Sequence, residues 1–268
     1  MKLIPKSLAV ALLLATSPAF AQADVPAATS PTAAPATATV DPKAVAALER
    51  MGSYLRSLQR FTVHGDSTLD MVMEDGQRLE FPGTVEYQVR MPDAMTVSLK
   101  TDRKDRKLYY DGKQLTVHGS RNHYYATIDA PPTIRELLAT VYDDYGLELP
   151  LVDLFLWGTD RAPTSALTSA TVVGPAHIGG TETEQYAFRQ DGVDWQVWIE
   201  SGSKPLPRRL VITTTDDPAM PQYASTLTWN TDATFAPDSF TFKPGKEDTR
   251  IELTRTVAIE AGSQENRP

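Results

Sequence analysis

The sequence predicts a mainly β fold of the α+β class, a curled antiparallel sheet whose concave face is covered by helices. Apolar and polar residues alternate in about eleven or twelve short segments, and the tight turns between them indicate an antiparallel meander. Residues 41–59 and 133–157 carry apolar residues at helical spacing instead. Because a meander of this length curls, we expect an unclosed half-barrel with both helical segments laid across its mouth.

The first 40 residues predict export rather than a folded core. Lys2 and Lys6 precede a short apolar run that ends at the cleavage pattern Ala19-Phe20-Ala21, so residues 1–21 are predicted to be a signal peptide. Residues 22–40 are rich in Ala, Pro and Thr, a composition typical of a disordered linker. We therefore expect a periplasmic protein with a single domain over residues 41–268.

The net charge and the lack of cysteine narrow the classes of function. The formal net charge is −8, which does not attract nucleic acid, so no nucleic-acid partner is expected. No segment after the signal is long and apolar enough to cross a membrane. The absence of Cys excludes disulfides and thiolate metal ligands, and it predicts that the mature protein carries no lipid anchor.

The first β-hairpin predicts which side chains face the concave side of the sheet. Asp41 and Pro42 have the residue types of a helix N-cap and first helical position. The apolar period then changes to two, with a hairpin turn at Asp75-Gly76. On the first three strands this alternation predicts the following inward side chains, which would line a cavity: Leu69, Met71, Val85, Tyr87, Val89, Met91 and Val97.

The segment 133–157 is predicted to be helical and lies between the two β-rich parts of the chain. Thr133 and Glu136 have capping-box spacing, and Gly146 is a plausible helix stop. Residues 147–157 are apolar almost all round, with Asp153 their only charge past Glu148, so this part must be covered on most sides. The segment is either a core helix or a lid over a cavity, lined in the second case by Leu137, Leu138, Val141, Leu151, Leu154, Phe155 and Trp157.

Catalytic and metal-binding motifs are lacking, so we expect a protein that is not an enzyme and needs no cofactor or metal. The adjacent Asp143 and Asp144 do not face each other on a helix and are predicted to be a solvated helix end. The basic stretch 100–107 is either a solvated hairpin tip or a docking loop for an acidic partner. The histidines are predicted to lie on the surface: His64, His118, His123 and His177.

Four short motifs, in their order along the chain, resemble the periplasmic carriers of outer-membrane lipoproteins. They are the segment 58–61, VRMP at 89–92, YDGKQL at 110–115 and DSFTFKP at 238–244. The chain is also similar to a family of periplasmic proteins known as a domain of unknown function. The LolA/LolB-like fold of the carriers implies an unclosed barrel of about eleven strands with a helical lid over an apolar cavity.

The resemblance implies a function in binding apolar ligands, with one departure from the carriers. The carriers have an inward arginine directly before the proline of VRMP, which latches the lid, whereas this chain has Met91 there and Arg90 on the outward face. We expect a non-enzymatic binding protein for a lipid or acyl chain. The alternatives are an envelope protein–protein interaction module with a filled core, or a hydrolase whose nucleophile and base the sequence does not reveal.

Overall fold

The described part of the chain, residues 39–255 of a computed structural model, contains three helices and twelve strands. The predicted signal peptide, residues 22–38 of the predicted linker and residues 256–268 lie outside it. The helices are Pro42–Ser57 (α1), Ile134–Tyr145 (α2) and Asp153–Leu156 (α3). The strands are Arg60–Val72 (β1), Arg78–Arg90 (β2), Ala94–Thr101 (β3), Asp105–Tyr110 (β4), Gln114–Gly119 (β5), Tyr124–Asp129 (β6), Ser169–Ile178 (β7), Thr181–Gln190 (β8), Val193–Glu200 (β9), Pro207–Thr214 (β10), Gln222–Asn230 (β11) and Thr249–Arg250 (β12).

All twelve strands form one sheet in the order β12-β6-β5-β4-β3-β2-β1-β11-β10-β9-β8-β7, with β12 and β7 as its two edge strands. The predicted fold class, a mainly β protein with an unclosed sheet and covering helices, is therefore confirmed. Neighbouring strands are antiparallel except β12, which runs parallel to β6. The apolar alternation at residues 251–259 predicts a further strand there. This prediction is wrong for its described part, because the backbone pairs with Tyr124 and Tyr125 through Thr249 and Arg250 instead.

The sheet order determines the path of the helical insert. β6 lies next to one edge of the sheet and β7 forms the other edge, so the chain between them must run from one side of the half-barrel to the other. Residues 130–168 make this crossing and include α2 and α3. We refer to residues 130–168 as the strap. Its position across the mouth thus follows from connectivity as well as from its apolar composition.

The concave face carries the core, as the alternation predicts. Val63, Val85, Tyr87, Val89 and Val97 are at most 2% exposed. α1 packs on this face with a stripe of small and apolar residues, Ala44, Ala47, Leu48, Met51, Gly52 and Leu55. Its start follows the prediction, since the side chain of Asp41 accepts a hydrogen bond from the N–H of Lys43 at 2.8 Å.

The β7 edge is partly covered by the residues before α1. The N–H of Asp41 donates to Ala170 O at 2.9 Å, and the N–H of Ala170 donates to Thr39 O at 3.0 Å. Val40 forms a parallel bridge with Ala170. Among the described residues, this pairing already includes Thr39, two residues before the predicted start of the domain, and it satisfies donors that an open edge would leave unpaired.

The convex face of β4–β6 is covered by residues 242–248, which we call the C-terminal segment. The ring of Phe242 packs against Tyr109, His118 and Tyr125 at centroid distances of 4.9–5.4 Å. His118 Nε2 lies 2.8 Å from Asp248 Oδ1, and the Gly245 N–H and His118 together lower the pKa of Asp248. The prediction of a surface position is wrong for His118, whose side chain is only 15% exposed, because the C-terminal segment lies over it.

Candidate apolar ligand site under the strap

After Gly146, the strap does not continue as the helix that its apolar composition predicts. α2 ends as predicted at Gly146, which adopts a left-handed conformation (φ 60°) and whose N–H bonds back to Tyr142 O and Val141 O. Residues 147–152 are non-helical, since Pro150 disfavours a helical conformation for the residue before it and Leu151 has φ 63°. Helix resumes only in the four residues of α3.

Two buried tyrosines hold the strap over the concave face through its backbone carbonyls. Tyr87 O–H donates to Pro150 O at 2.5 Å, and Tyr110 O–H donates to Pro131 O at 2.6 Å. Burial raises the pKa of Tyr110 to about 12 and that of Tyr87 well above its ordinary value. Both hydroxyls therefore remain protonated donors at neutral pH. These bonds fasten the strap over the concave face, while Arg90 bonds Asp93 at 3.2 Å on the outward face.

The C-terminal end of the strap is fastened to α1. Arg56 Nη1 donates to Trp157 O at 2.7 Å. A Cβ atom at Gly52 would lie 2.8 Å from that same carbonyl oxygen, closer than side-chain carbons approach. The close approach of α1 to the strap thus requires glycine at position 52.

The centre of the half-barrel is filled by side chains. The ring of Phe155 lies 5.5 Å from that of Tyr87 and 6.3 Å from that of Phe61, measured between centroids. Leu137, Leu151 and Leu154 of the strap are at most 5% exposed. The space that the sequence predicts as a cavity is therefore packed at its middle.

Two cavities lie beside this filled centre. The first, which we call the helix cavity, has a volume of about 400 Å³ and lies between α2 and residues 147–156. The second, the sheet cavity, has a volume of about 310 Å³ and lies between α1, the strap and strands β9 and β10. Leu156 and Arg161 line both cavities, so the two spaces adjoin.

The walls of both cavities are mostly apolar. The helix cavity is bounded by Leu138, Val141, Leu147, Leu149 and Val152, with Glu148 and Tyr142 among its polar residues. The sheet cavity is bounded by Leu48, Trp157, Val193, Trp195, Leu210 and Ile212, with Asp153 and Gln190 among its polar residues. Apolar and aromatic walls with few polar groups are typical of sites for small hydrophobic molecules.

The structure separates the predicted site residues into three groups. Leu138, Val141 and Trp157 line one of the cavities. Val85, Tyr87, Val89, Val97, Leu137, Leu151, Leu154 and Phe155 belong to the packing at the filled centre. Met91 lines a separate hollow of about 650 Å³ beside Gln59 and Thr231–Thr234, and Leu69 and Met71 are each 49% exposed.

Leu69 and Met71 are exposed because β1 and β2 extend beyond the strap. Leu69 is nevertheless part of one row of concave-face residues that crosses the sheet by direct pairing: Phe81, Leu69, Tyr223, Ile212, Trp195, Phe188 and Ala170. Ile212 and Trp195 in this row line the sheet cavity. An apolar surface therefore runs from the exposed hairpin to the cavity wall.

Most residues that line the two cavities were not among the predicted site residues, and Leu156, Trp195 and Arg161 show three different reasons. Leu156 lies in the predicted apolar segment, but the pattern alone does not show that Leu156, rather than its neighbours Leu154 and Phe155, lines a cavity. Trp195 follows the strand alternation, and only the sheet order brings it beneath the strap. Arg161 lies in an irregular loop and carries no sequence signal.

Asp153 is a mostly buried carboxyl on the wall of the sheet cavity. Within residues 39–255, no side chain forms a hydrogen bond or an ion pair with it. Burial raises its pKa, and only its own backbone N–H opposes this. The nearest cation on the same wall, Arg161, points its Nη2 atom at Asp143 Oδ2, 3.4 Å away.

Asp153→Asn is expected to raise the melting temperature by a few degrees at neutral pH. The pKa of Asp153 is higher in the folded than in the unfolded state, so the stability of the wild type falls as pH rises from the unfolded to the folded pKa. The advantage of the variant should be largest above that window and disappear below it. Tyr87 and Tyr223, whose pKa values are raised, stay neutral in this range.

Thermal unfolding of both proteins at a series of pH values measures this difference. An advantage of the Asn variant that stays constant as pH falls would contradict a raised pKa for Asp153.

Metal binding and membrane spanning find no structural support in the described residues. Between Thr39 and Arg255, no group of three His, Asp or Glu side chains is arranged to hold a metal ion. His118 and His123 do approach Asp248, but His123 Nδ1 is 3.7 Å from its carboxylate. None of the helices in this part of the chain has the length and apolarity required to cross a bilayer.

The fold and its covered concave face define the class of protein, an unclosed β half-barrel closed over by a helical strap. Residues 44–254 match the family described as "Predicted periplasmic protein (DUF2092)", and the chain therefore belongs to this family. The predicted resemblance to a periplasmic family of unknown function is confirmed. No curated protein shows significant similarity to the chain.

Solved structures resemble the chain over most of its length at low identity. The lipoprotein LppX of Mycobacterium tuberculosis is 14% identical with a TM-score of 0.45, over 72% of this chain and 98% of that chain. LprF of Mycobacterium bovis is 14% identical with a TM-score of 0.46, over 75% and 99%. A LolA superfamily protein of Nitrosomonas europaea is 9% identical with a TM-score of 0.36, over 75% and 97%.

Proposed function

We propose that this protein is a periplasmic, non-enzymatic binding protein for an apolar ligand, a lipid or an acyl chain. The observation that carries the proposal is the pair of adjoining cavities of about 400 and 310 Å³ with mainly apolar walls. Known small-molecule sites have volumes of about 300–1,000 Å³. The signal peptide would direct the chain to the periplasm.

The affinity would come from burying apolar surface of the ligand against the strap and strands β9 and β10. This burial stabilises a complex by roughly 25 cal/mol per Å² before the costs of association are subtracted. An elongated chain fits the arrangement better than a compact molecule, because the two cavities are neighbours that share Leu156 and Arg161 in their walls.

Native mass spectrometry of the protein purified from its own periplasm tests the proposal directly. We expect an adduct with the mass of a lipid that dissociates when the protein is denatured. Recombinant protein freed of lipid should then bind a fluorescent apolar dye such as N-phenylnaphthylamine.

Leu156→Trp is the variant that should abolish this binding. The larger indole would occupy the junction of the two cavities and lower the affinity for the dye at least about tenfold, a change of 1.4 kcal/mol. Val173→Trp adds the same ring at a position 53% exposed on β7 and should leave binding unchanged. Equal binding by both variants, or no binding by the wild type, would refute the proposed site.

An envelope interaction module is the second candidate, favoured by one observation. The centre of the half-barrel is filled, while Leu69, Met71, Met73 and Met220 remain 45–49% exposed at one end of the sheet. Exposed apolar groups of this kind often mark contacts between proteins. If the wild type binds neither lipid nor dye, crosslinking from these positions in the periplasm becomes the appropriate experiment.

A further inference from the structure

Asp153 distinguishes the sheet cavity from a purely apolar pocket. An uncompensated carboxylate in mostly apolar surroundings is costly, because burial removes its hydration. Its charge contributes to the raised pKa of both Tyr87 and Tyr223, after the larger effect of burial, so the carboxylate lies within electrostatic range of both hydroxyls. A residue that lowers stability and forms no stabilising contact within the protein is a candidate for contact with a ligand.

The hydroxyl donors near Asp153 are already engaged with other acceptors. Tyr87 O–H donates to Pro150 O at 2.5 Å, and the hydroxyl of Tyr223 lies 3.0 Å from Ser67 Oγ. The guanidinium of Arg161 is directed to Asp143. Among the described residues, therefore, no side chain donates a hydrogen bond to the carboxylate of Asp153.

Two tryptophans complete the wall around this carboxylate. The rings of Trp157 and Trp195 are stacked at a centroid distance of 5.9 Å, and both residues line the sheet cavity together with Asp153. A carboxylate beside indole rings therefore favours a positively charged group attached to an apolar body.

We propose that the sheet cavity binds amphiphiles whose polar end is an ammonium group, received by Asp153, in preference to fatty acids. This rests on the proposed function and names its ligand class. The ammonium would supply the missing donor and compensate the charge of Asp153, while the apolar chain extends past Leu156 into the helix cavity. A fatty acid would instead place a second negative charge beside the first.

Competition among three ligands with the same chain tests this preference. Dodecylamine, dodecanol and dodecanoate, each below its micelle concentration, compete with bound N-phenylnaphthylamine at neutral pH. We expect dodecylamine to compete at least about tenfold better than dodecanoate, with dodecanol between them.

Asp153→Asn should make the amine and the carboxylate compete nearly equally, with the competition of each ligand measured against the dye affinity of the variant itself. Asp129→Asn is the matched control, since it removes the same charge from an exposed position of β6 outside both cavities and should leave the preference intact. This control also detects attraction of the amine to the acidic protein as a whole.

The failures of the two proposals are distinguishable. Dodecanoate competing as well as dodecylamine with the wild type, or a preference that survives in the Asp153→Asn protein, would overturn the ammonium assignment while the apolar site stands. A wild-type protein that does not bind the dye would remove the proposed function itself. Should the Asn variant not fold, the ranking of the three ligands by the wild type decides the question alone.

Discussion

Val89→Asp is expected to abolish cooperative folding. Val89 is fully buried (0% exposed) on the concave face, between Phe61 of β1 and Met95 of β3. An aspartate at this position would bury a charge that has no partner, and the cost of several kcal/mol is comparable with the whole stability of a domain. Circular dichroism and thermal unfolding of the purified variant measure the loss.

Thr84→Asp is the control on the same strand. Thr84 is exposed on the convex face and lies opposite Asp66 and Lys100, so the same new charge should change stability by no more than about 0.5 kcal/mol. Comparable destabilisation by the two substitutions would mean that the register of β2 is wrong.

Phe155→Ala is expected to lower the free energy of unfolding by about 3–5 kcal/mol, the range measured for truncation of buried aromatic residues. Its ring fills the centre of the half-barrel between the rings of Phe61 and Tyr87. Truncation would leave a void that the surrounding strands cannot close, because they belong to a continuous sheet. Denaturant unfolding monitored by tryptophan fluorescence provides the measurement.

Tyr142→Ala removes an aromatic ring of similar size from α2, where it is 57% exposed, and should cost far less. A loss below about 1.5 kcal/mol for Phe155→Ala would show that the strap is loosely packed at its centre. The strap would then be a lid throughout, and the volume available to a ligand would include the space at Phe155.

The register of the first hairpin could be predicted from the sequence because one face of it is buried. A slip of one residue would move every side chain of β2 to the opposite face, so the alternation of Val85, Tyr87 and Val89 with polar residues admits one solution. The boundaries of α1 and α2 were predictable for a similar reason. Asp41, Thr133 and Gly146 occupy cap positions that few other residues satisfy as well.

The candidate site was less predictable because it depends on contacts between distant parts of the chain. Composition indicates that residues 147–157 are buried, but the interruption at Pro150 and Leu151 decides which side chains pack and which line a cavity. Leu154 is packed, whereas Leu156, two residues later, lies on both cavities. The position of Asp153 on the cavity wall likewise follows from where α3 sits, which no local pattern encodes.

The order of strands also constrains how the protein folds. Most strands pair with their neighbours in sequence, which gives two groups, β1 to β6 and β7 to β11. The two groups are joined by the pairing of β1 with β11. There, Ser67 and Ser225 are 158 residues apart and form a hydrogen bond of 2.9 Å. Local hairpins close short loops and form early, whereas pairing across a long loop is slow. Both halves of the sheet should thus form before β1 pairs with β11. The strap, as the tether that joins the halves, sets the effective concentration at which they meet.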